Sequence, residues 1–298
     1  MFGGFCFGGI LLKSNMIRTI STNPTATENN RFERFDHKPY IDIHCHCLPA
    51  IDDGPATMAE ALALCRGLVN DSITAVIATP HQLGRFSDCN EAAQIRDAVA
   101  ILNEELRNGN IALTVMAGGD VRVDERICQL LKADKILTLA DGGKYILLEL
   151  PPQVFIDIEP LLIELASQGV QAIISHPERH EVLARQPQLM SKWLSQSAHL
   201  QVTCGSVLGD FGLMAQRTAW RLLSSGLVSL MATDSHNLDG RKPRMKAAFQ
   251  YISSKFGEAA ARLVSIENPL RVLKGQDIVS ARTTETRKCN DETVPSNL

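Results

Sequence analysis

Short runs of aliphatic and β-branched residues alternate along this chain with longer stretches whose apolar positions recur every three or four residues. The runs Tyr40–His44, Ile73–Thr79, Ala112–Ala117, Tyr145–Leu150, Val170–Ser175, His199–Thr203 and Leu227–Thr233 read as strands. Between them, Thr57-Met58-Ala59-Glu60 forms a capping box that opens a helix with Met58, Leu62, Cys65 and Val69 on one stripe. Asn90 is placed to cap a second helix, whose stripe is Ile95, Val99, Leu102 and Leu106 and whose stop lies near Gly109. A segment from Asp157 carries Leu161, Leu165 and Gln168 to a stop at Gly169, and Phe211 to Ser225 ends in the same way at Gly226. Seven such strand–helix units, at roughly the ~30 residues of a βαβ unit, predict an α/β fold with a parallel sheet closed into a barrel. An open doubly wound sheet is the alternative. No G-x-G-x-x-G or Walker sequence follows any strand to support it.

The periodic region sets the domain limits. Residues 1–39 are expected to be a flexible or disordered extension, 40–277 the barrel and 278–298 a polar, disordered tail. Met1 to Leu12 is apolar and glycine-rich. It is too short to span a bilayer and lacks the positive charge that precedes a signal peptide's apolar core, so no stable membrane insertion is expected. It reads as a leader, or as the result of a start set upstream of Met16. With 45% hydrophobic and 21% charged residues the composition is that of an ordinary soluble enzyme. A net charge of -3 gives no electrostatic reason to expect nucleic acid as a partner. Eight cysteines without a Cys-x-x-Cys pair read as reduced, mostly buried thiols of a cytoplasmic protein. Oligomeric state is left open.

Chemistry enters with the residues at the strand ends. His44 and His46 end the first strand, and Asp52-Asp53-Gly54 follows in its loop. His81 follows the second strand and Asp120 the third, after Gly118-Gly119; Glu149 closes the fourth and His176 the fifth. Asp234 and His236 close the seventh, while the sixth ends in Thr203-Cys204-Gly205-Ser206 without an ionisable group. A lone histidine at a strand end is ordinarily a hydrogen-bonded structural residue. In a β/α barrel, however, the carboxyl ends of all strands converge on one mouth, so these residues form one set. Period-2 alternation turns His44 and His46 to one face and Cys45 to the other, where Cys45 and Cys47 read as packing residues. Five imidazoles with the carboxylates Asp53, Asp120, Glu149 and Asp234 exceed the needs of one ion and of a closed structural zinc site, and suit two or three close ions. Mixed imidazole and carboxylate donors favour Mn, Fe, Zn or Ni over Mg or Ca. Such a site polarises an anionic ester and makes hydroxide available near neutral pH. Arg179 and Arg241 lie near the predicted mouth and match phosphate oxygens, with Arg85, Arg122 and Arg244 as further candidates against the reading of solvated loop charges.

The ordered series Tyr40-Ile41-Asp42-Ile43-His44-Cys45-His46, Ile51-Asp52-Asp53-Gly54, Thr79-Pro80-His81, His176-Pro177-Glu178-Arg179 and Asp234-Ser235-His236-Asn237-Leu238-Asp239-Gly240-Arg241 resembles the polymerase-and-histidinol-phosphatase (PHP) family over about Tyr40 to Gln276. The Asp-Asp-Gly and His-Asn-Leu-Asp-Gly-Arg elements narrow it to the CpsB/YwqE-type protein-tyrosine phosphatases of bacterial capsule and exopolysaccharide systems. This resemblance implies a distorted (β/α)7 barrel with two to three divalent ions, usually manganese. His44, His46, Asp53, His81, Glu149, His176, Asp234 and His236 would be ligands, with Glu149 the bridging carboxylate. Arg179 and Arg241 would hold the phosphate, and Asp53 and His81 would share in the reaction. The implied substrate is phosphotyrosine, and the implied partner an autophosphorylating tyrosine kinase that controls polysaccharide export.

One position departs from that pattern: Asp120 stands where the family carries glutamate. One methylene shorter, it is expected to bind more weakly, or to a single ion. A cysteine-based phosphatase would need Cys-x5-Arg, and no cysteine has arginine six positions on; Cys204 meets Asp210 there. Direct attack by a metal-bound hydroxide, without a phospho-enzyme, is the chemistry left. Two alternatives stay open: a phosphatase of a small metabolite such as histidinol phosphate, and a catalytically weak metal-binding regulatory protein.

Overall fold

The computed structural model describes residues 40–86 and 89–280; the expectations for the N-terminal extension and for the tail beyond 280 lie outside the described residues. The strands among them are β1 (Tyr40–Cys45), β2 (Ile73–Ala78), β3 (His81–Gln82), β4 (Thr114–Ala117), β5 (Asp120–Arg122), β6 (Tyr145–Glu149), β7 (Gln171–Ser175), β8 (His199–Thr203) and β9 (Val228–Ala232). Seven are the runs read from the hydrophobic pattern: β8 matches its run, β1 is longer by one residue, and the other five are trimmed by one or two. The additional β3 and β5 are short continuations of β2 and β4. All neighbours pair in parallel, in the orders β1-β2-β4 and β3-β5-β6-β7-β8-β9. The chain bends at Pro80 and again at Gly118-Gly119, and hands the β2–β4 pair on to β3–β5, where His81 faces Asp120.

The remaining seam lies between β1 and β9. There Asp234 N donates to His44 O at 2.8 Å, His46 N donates to Ser235 O at 2.9 Å, and Cys45 bridges Ser235. The circuit is a distorted (β/α)7 barrel. Its strands carry near-continuous apolar runs because a parallel sheet inside helices is buried on both faces. Ile41, Ile43, Ala75, Ile77, Tyr145, Leu147, Ile173, Leu230 and Ala232 form the lumen core, joined by Val272 and Leu273. Those last two belong to the helix Asn268–Leu273, whose following segment ties to the start of β6 through Tyr145 Oη donating to Gln276 O at 2.7 Å. One end of the barrel is therefore plugged with hydrocarbon. The other is left to polar groups.

Helices shelter the outer faces of the strands. In α1 (Met58–Asn70) Thr57 Oγ1 accepts from Glu60 N at 3.2 Å, while Glu60 reaches back to Ala56 N. The buried face of α1 is Ala61, Leu64, Cys65 and Leu68 rather than the stripe Met58, Leu62, Cys65 and Val69. A helix apolar around most of its circumference does not declare its face in sequence. The second helix, α2 (Ala92–Asn108), buries the expected Ile95, Val99, Leu102 and Leu106, at about 1.5–3 kcal/mol for each fully buried side chain. Its cap is Glu91, not Asn90. Asn90 sits at φ 61 and donates to Ile51 O and His81 O, both at 2.9 Å, so it laces two loops of the mouth together. The segment from Asp157 becomes α3 (Glu159–Ser167), and that from Phe211 becomes α4 (Gly212–Ser224). No helix among the described residues is long and apolar enough to cross a membrane.

Two local features position the mouth. Against β2, three steps of β1 from Asp42 to Cys45 span only two steps from Val76 to Ala78, a bulge. The bulge reverses the alternation, so Ile41 and Ile43 fill the lumen while His44 and His46 beyond it also turn inward. At the β4–β5 bend, a Cβ on Gly119 would come within 2.2 Å of Gln82 Oε1. Gln82 cannot give way, because its amide donates to Asn90 O at 2.7 Å and accepts from Leu137 N at 2.9 Å. Gly119→Ala is expected to destabilise the fold by about 1–3 kcal/mol, seen as a lower denaturant midpoint at unchanged slope; an unchanged midpoint would refute the close-approach account.

His199, at the start of β8, is held neutral between Gln171 Oε1 at 3.1 Å and Ser229 Oγ at 3.4 Å, and burial lowers its pKa to about 4. The unfolded chain takes up that proton near pH 6.5. Stability from this residue is therefore complete above pH 6.5 and is lost as pH falls towards 4. The His199→Gln variant should show a flatter decline of stability over that window in denaturant melts, and an identical decline would exclude the contribution.

Candidate metal centre

All nine predicted ligands meet at the open end of the barrel. Their donor atoms fall into four overlapping groups: His46, Asp53, His81 and His236; His44, His46 and Asp234; His44, Asp120 and His176; His81, Asp120 and Glu149. His44 Nε2 lies 3.2 Å from His46 Nε2 and 3.3 Å from Asp234 Oδ1, which is 3.5 Å from His46 Nε2. His81 Nε2 and His236 Nε2 lie 3.4 and 3.3 Å from Asp53 Oδ1. Two donors bound at about 2.1 Å to one ion stand about 3.0–3.4 Å apart in octahedral or tetrahedral geometry, so these separations fit shared cations.

The outer partners of the rings sharpen that fit. His46 Nδ1 meets Asp52 Oδ2 at 2.6 Å, His236 Nδ1 the carbonyl of Asp234 at 3.1 Å, and His44 Nδ1 Gln201 Oε1 at 2.9 Å. An oxygen acceptor at each Nδ1 requires the proton there, which leaves each Nε2 with a bare lone pair. Lone pairs of His44 and His46 then face one another and the carboxylate of Asp234 in a space sealed from water. Asp120 Oδ1 and Asp234 Oδ1 are buried without a hydrogen-bond partner. Bound cations would satisfy such an arrangement.

The titration directions agree. Burial, followed by the nearby charge of Asp120, pushes Glu149 up to about 7. Burial also opposes ionisation of Asp120, but His44 and His81 hold it well below the usual carboxylate range. The neighbouring imidazoles of His236 and His81 do the same for Asp53. Burial would lower His81, yet Asp120 and Asp53 lift it to about 10. Burial, then the His236 charge, drops His46 to about 4. Carboxylates and imidazoles thus share out too few protons among themselves, a demand that bound cations would meet.

Asp120 lies within the cluster despite its shorter side chain. It belongs to two of the four groups, with Oδ2 3.4 Å from His81 Nδ1 and 3.7 Å from His44 Nε2. Glu149, the expected bridge, belongs to one.

Arginines ring the adjoining cavity, about 280 Å³ in volume, whose wall includes Arg85, Arg122, Arg179 and Arg241 with Asp53, His81, Glu149, His176 and Phe86. Arg179 and Arg241 both close on Asp234 Oδ2, while Oδ1 of the same carboxylate faces the histidines. Arg179 is carried by the turn Pro177–Arg179, anchored by buried Glu178, whose Oε1 accepts from Thr203 N at 2.9 Å and Thr203 Oγ1 at 3.0 Å. Arg241 ends a loop closed by His236 N donating to Arg241 O at 2.9 Å. Arg122 pairs with Glu149 at 2.8 Å and Arg85 with Asp53 at 3.0 Å. Arg244 is not brought there; it pairs with Asp210 at 3.1 Å.

Sequence reasoning left Asp52 and Gln201 without roles. Asp52 also accepts from His81 N at 3.0 Å and Gly54 N at 3.0 Å, so it fixes the His46 ring and the backbone that carries His81. Five cysteines, Cys45, Cys47, Cys65, Cys128 and Cys204, are buried, and burial raises the Cys45 thiol to about 11, so none of these five is a nucleophile.

Because Asp52 holds His46 and His81 from outside the ligand set, Asp52→Ala is expected to weaken metal binding about 10–100-fold in a competitive chelator titration. Asp120→Asn should lower the metal content of purified protein more than Glu149→Gln. Equal losses would return the bridging place to Glu149.

Comparison with known proteins identifies the family of the chain. The family described as "Capsular polysaccharide synthesis, CpsB/CapC" matches residues 40–274. The tyrosine-protein phosphatase YwqE of Bacillus subtilis is 34% identical over 239 residues, which cover 80% of this chain and 93% of that protein. The putative tyrosine-protein phosphatase CapC of Staphylococcus aureus is 30% identical over 214 residues, 70% of this chain and 82% of its own. A crystal structure from work on YwqE and on CpsB of Streptococcus pneumoniae, which presents them as metal-dependent tyrosine phosphatases, superposes with a TM-score of 0.78 at 33% identity, over 80% of this chain and 96% of that one. On its sequence and its fold, this chain belongs to the CpsB/CapC family.

Proposed function

We propose that this protein is a metal-dependent protein-tyrosine phosphatase that uses two to three divalent ions, manganese first. Its substrate on this reading is a phosphotyrosine protein in the cytoplasm, a bacterial tyrosine kinase of polysaccharide export. The observation that carries the reading is the interlocked set of five histidines and four carboxylates beside a cavity ringed by arginines. The named activities of the YwqE and CapC relatives support it.

The residues divide the work by position. Arg179 and Arg241 present planar donors to the phosphoryl oxygens, and Asp234 Oδ2 holds both in place before substrate arrives. Glu178 and the Phe211 ring, 4.3 Å beneath the Arg179 guanidinium, keep that side chain from wandering. Arg122, paired with Glu149, adds positive charge to the cavity wall. Asp53 is the most open of the four ligand carboxylates, at 40% side-chain exposure, and on this reading it would accept the proton of an attacking water, with His81 beside it. Ions bound at the cluster would neutralise phosphate charge and acidify that water. The leaving group is a phenolate, with a conjugate acid of pKa about 10, so its departure needs little protonation.

Chelator-stripped protein is expected to be inert towards a phosphotyrosine peptide and to recover on addition of manganese. His44→Ala and His236→Ala should not recover, and Arg179→Ala should lose about 10²–10³ in kcat/KM. No turnover with Mn, Zn, Mg or Fe, from protein shown to bind the metal, would overturn the proposal.

A further inference from the structure

The wall of the cavity is charged or hydrogen-bonding almost throughout, and its apolar members are Leu83 and Phe86. Leu83 is only 7% exposed, so the half-buried Phe86 supplies the accessible hydrocarbon. A phosphate dianion gains nothing from such a surface; guanidinium donors satisfy it, and apolar contact only strips its water. The ring is matched to the other half of the ester. We propose that Phe86 recognises the aryl group of the substrate, packing against it while the phosphate lies at Arg179 and Arg241. This inference rests on the phosphatase reading above and adds the residue that selects aryl over alkyl esters.

The backbone supports the same assignment. Leu83 at φ 65 and Gly84 at φ 58 are consecutive left-handed residues, and the turn closes with Phe86 N donating to Leu83 O at 3.0 Å. A leucine is disfavoured in that conformation, and such strain persists where the surroundings fix it, typically at ligand clamps. The turn lays the Phe86 ring nearly parallel to His81, with centroids 5.5 Å apart and planes 14° from one another, which ties the aryl wall to a member of the ligand cluster. The Arg85 guanidinium, 4.8 Å over Phe86, is held by an exposed pair with Asp53 and yields readily to an incoming ring. Offset or edge-on contact between two rings is favourable beyond the area it buries.

Phenylphosphonate and methylphosphonate present the same phosphoryl group without a leaving group, and their binding to the manganese-loaded protein separates recognition from reactivity. The wild type should prefer phenylphosphonate. Phe86→Ala should cut that preference about three- to tenfold, and Phe86→Trp should keep it. The ratio of kcat/KM for phenyl phosphate over ethyl phosphate should follow the same order. Equal weakening of both phosphonates in Phe86→Ala, together with lost metal, would make the ring a buttress for His81 and overturn the inference; so would an unchanged preference. A wild type that hydrolyses no phosphate monoester fails differently, since it removes the phosphatase reading itself.

Discussion

The mouth of this barrel depends on one buried carboxylate that binds no arginine and no lysine. Asp42 lies wholly inside the protein, where its Oδ1 accepts from Thr233 N at 2.9 Å and from His44 N at 3.4 Å, and its Oδ2 accepts from Thr233 Oγ1. Burial pushes its pKa up to about 6, and the three donors oppose that rise. The interaction fastens β1 to β9 at the seam where the circle of strands closes. His44 and His46 leave one side of that seam, Asp234 and His236 the other. Closure of the fold and assembly of these four ligands are one event.

Beyond the seam the protein sets local preferences against each other. Lone pairs converge on lone pairs, and carboxylates are buried beside carboxylates, in a region that simpler hydrocarbon packing would stabilise better. The plugged end shows what that packing looks like, with Val272, Leu273, Tyr145 and Ile41 in contact around the same axis. The two ends divide the labour. One holds the barrel together, and the other carries groups that repel each other until something of opposite charge joins them.

Much of this was legible in the chain. A parallel barrel brings the carboxyl ends of its strands to one rim whatever the details, so ionisable residues at strand ends identify the site without knowledge of any distance. Legibility failed where placement depends on a neighbour remote in sequence. The bulge in β1, which lets Ile43 and His44 both face inward, comes from pairing with β2 and has no signature within β1. Asn90 looks like a helix cap because its bonds to Ile51 and His81 are invisible in sequence. Asp120 enters two of the ligand groups despite its short side chain, which a comparison of side-chain lengths alone misses. Gln201 and Asp52 act through a histidine ring each, and only geometry shows which ring.

Asp234 has one unit of negative charge and two claims on it. Oδ2 is taken by Arg179 and Arg241, and Oδ1 turns to His44 and His46. When an anion occupies the guanidiniums, the carboxylate has more of its charge to offer on the Oδ1 side; when cations occupy that side, the guanidiniums turn more fully to an anion. On the proposed reading, the two kinds of ligand would bind cooperatively through this single group. Thermodynamic reciprocity would then make phosphate tighten metal retention by the same factor that metal tightens phosphate. Product inhibition and metal loss, usually treated as separate properties of a hydrolase, would become two readings of one coupling constant.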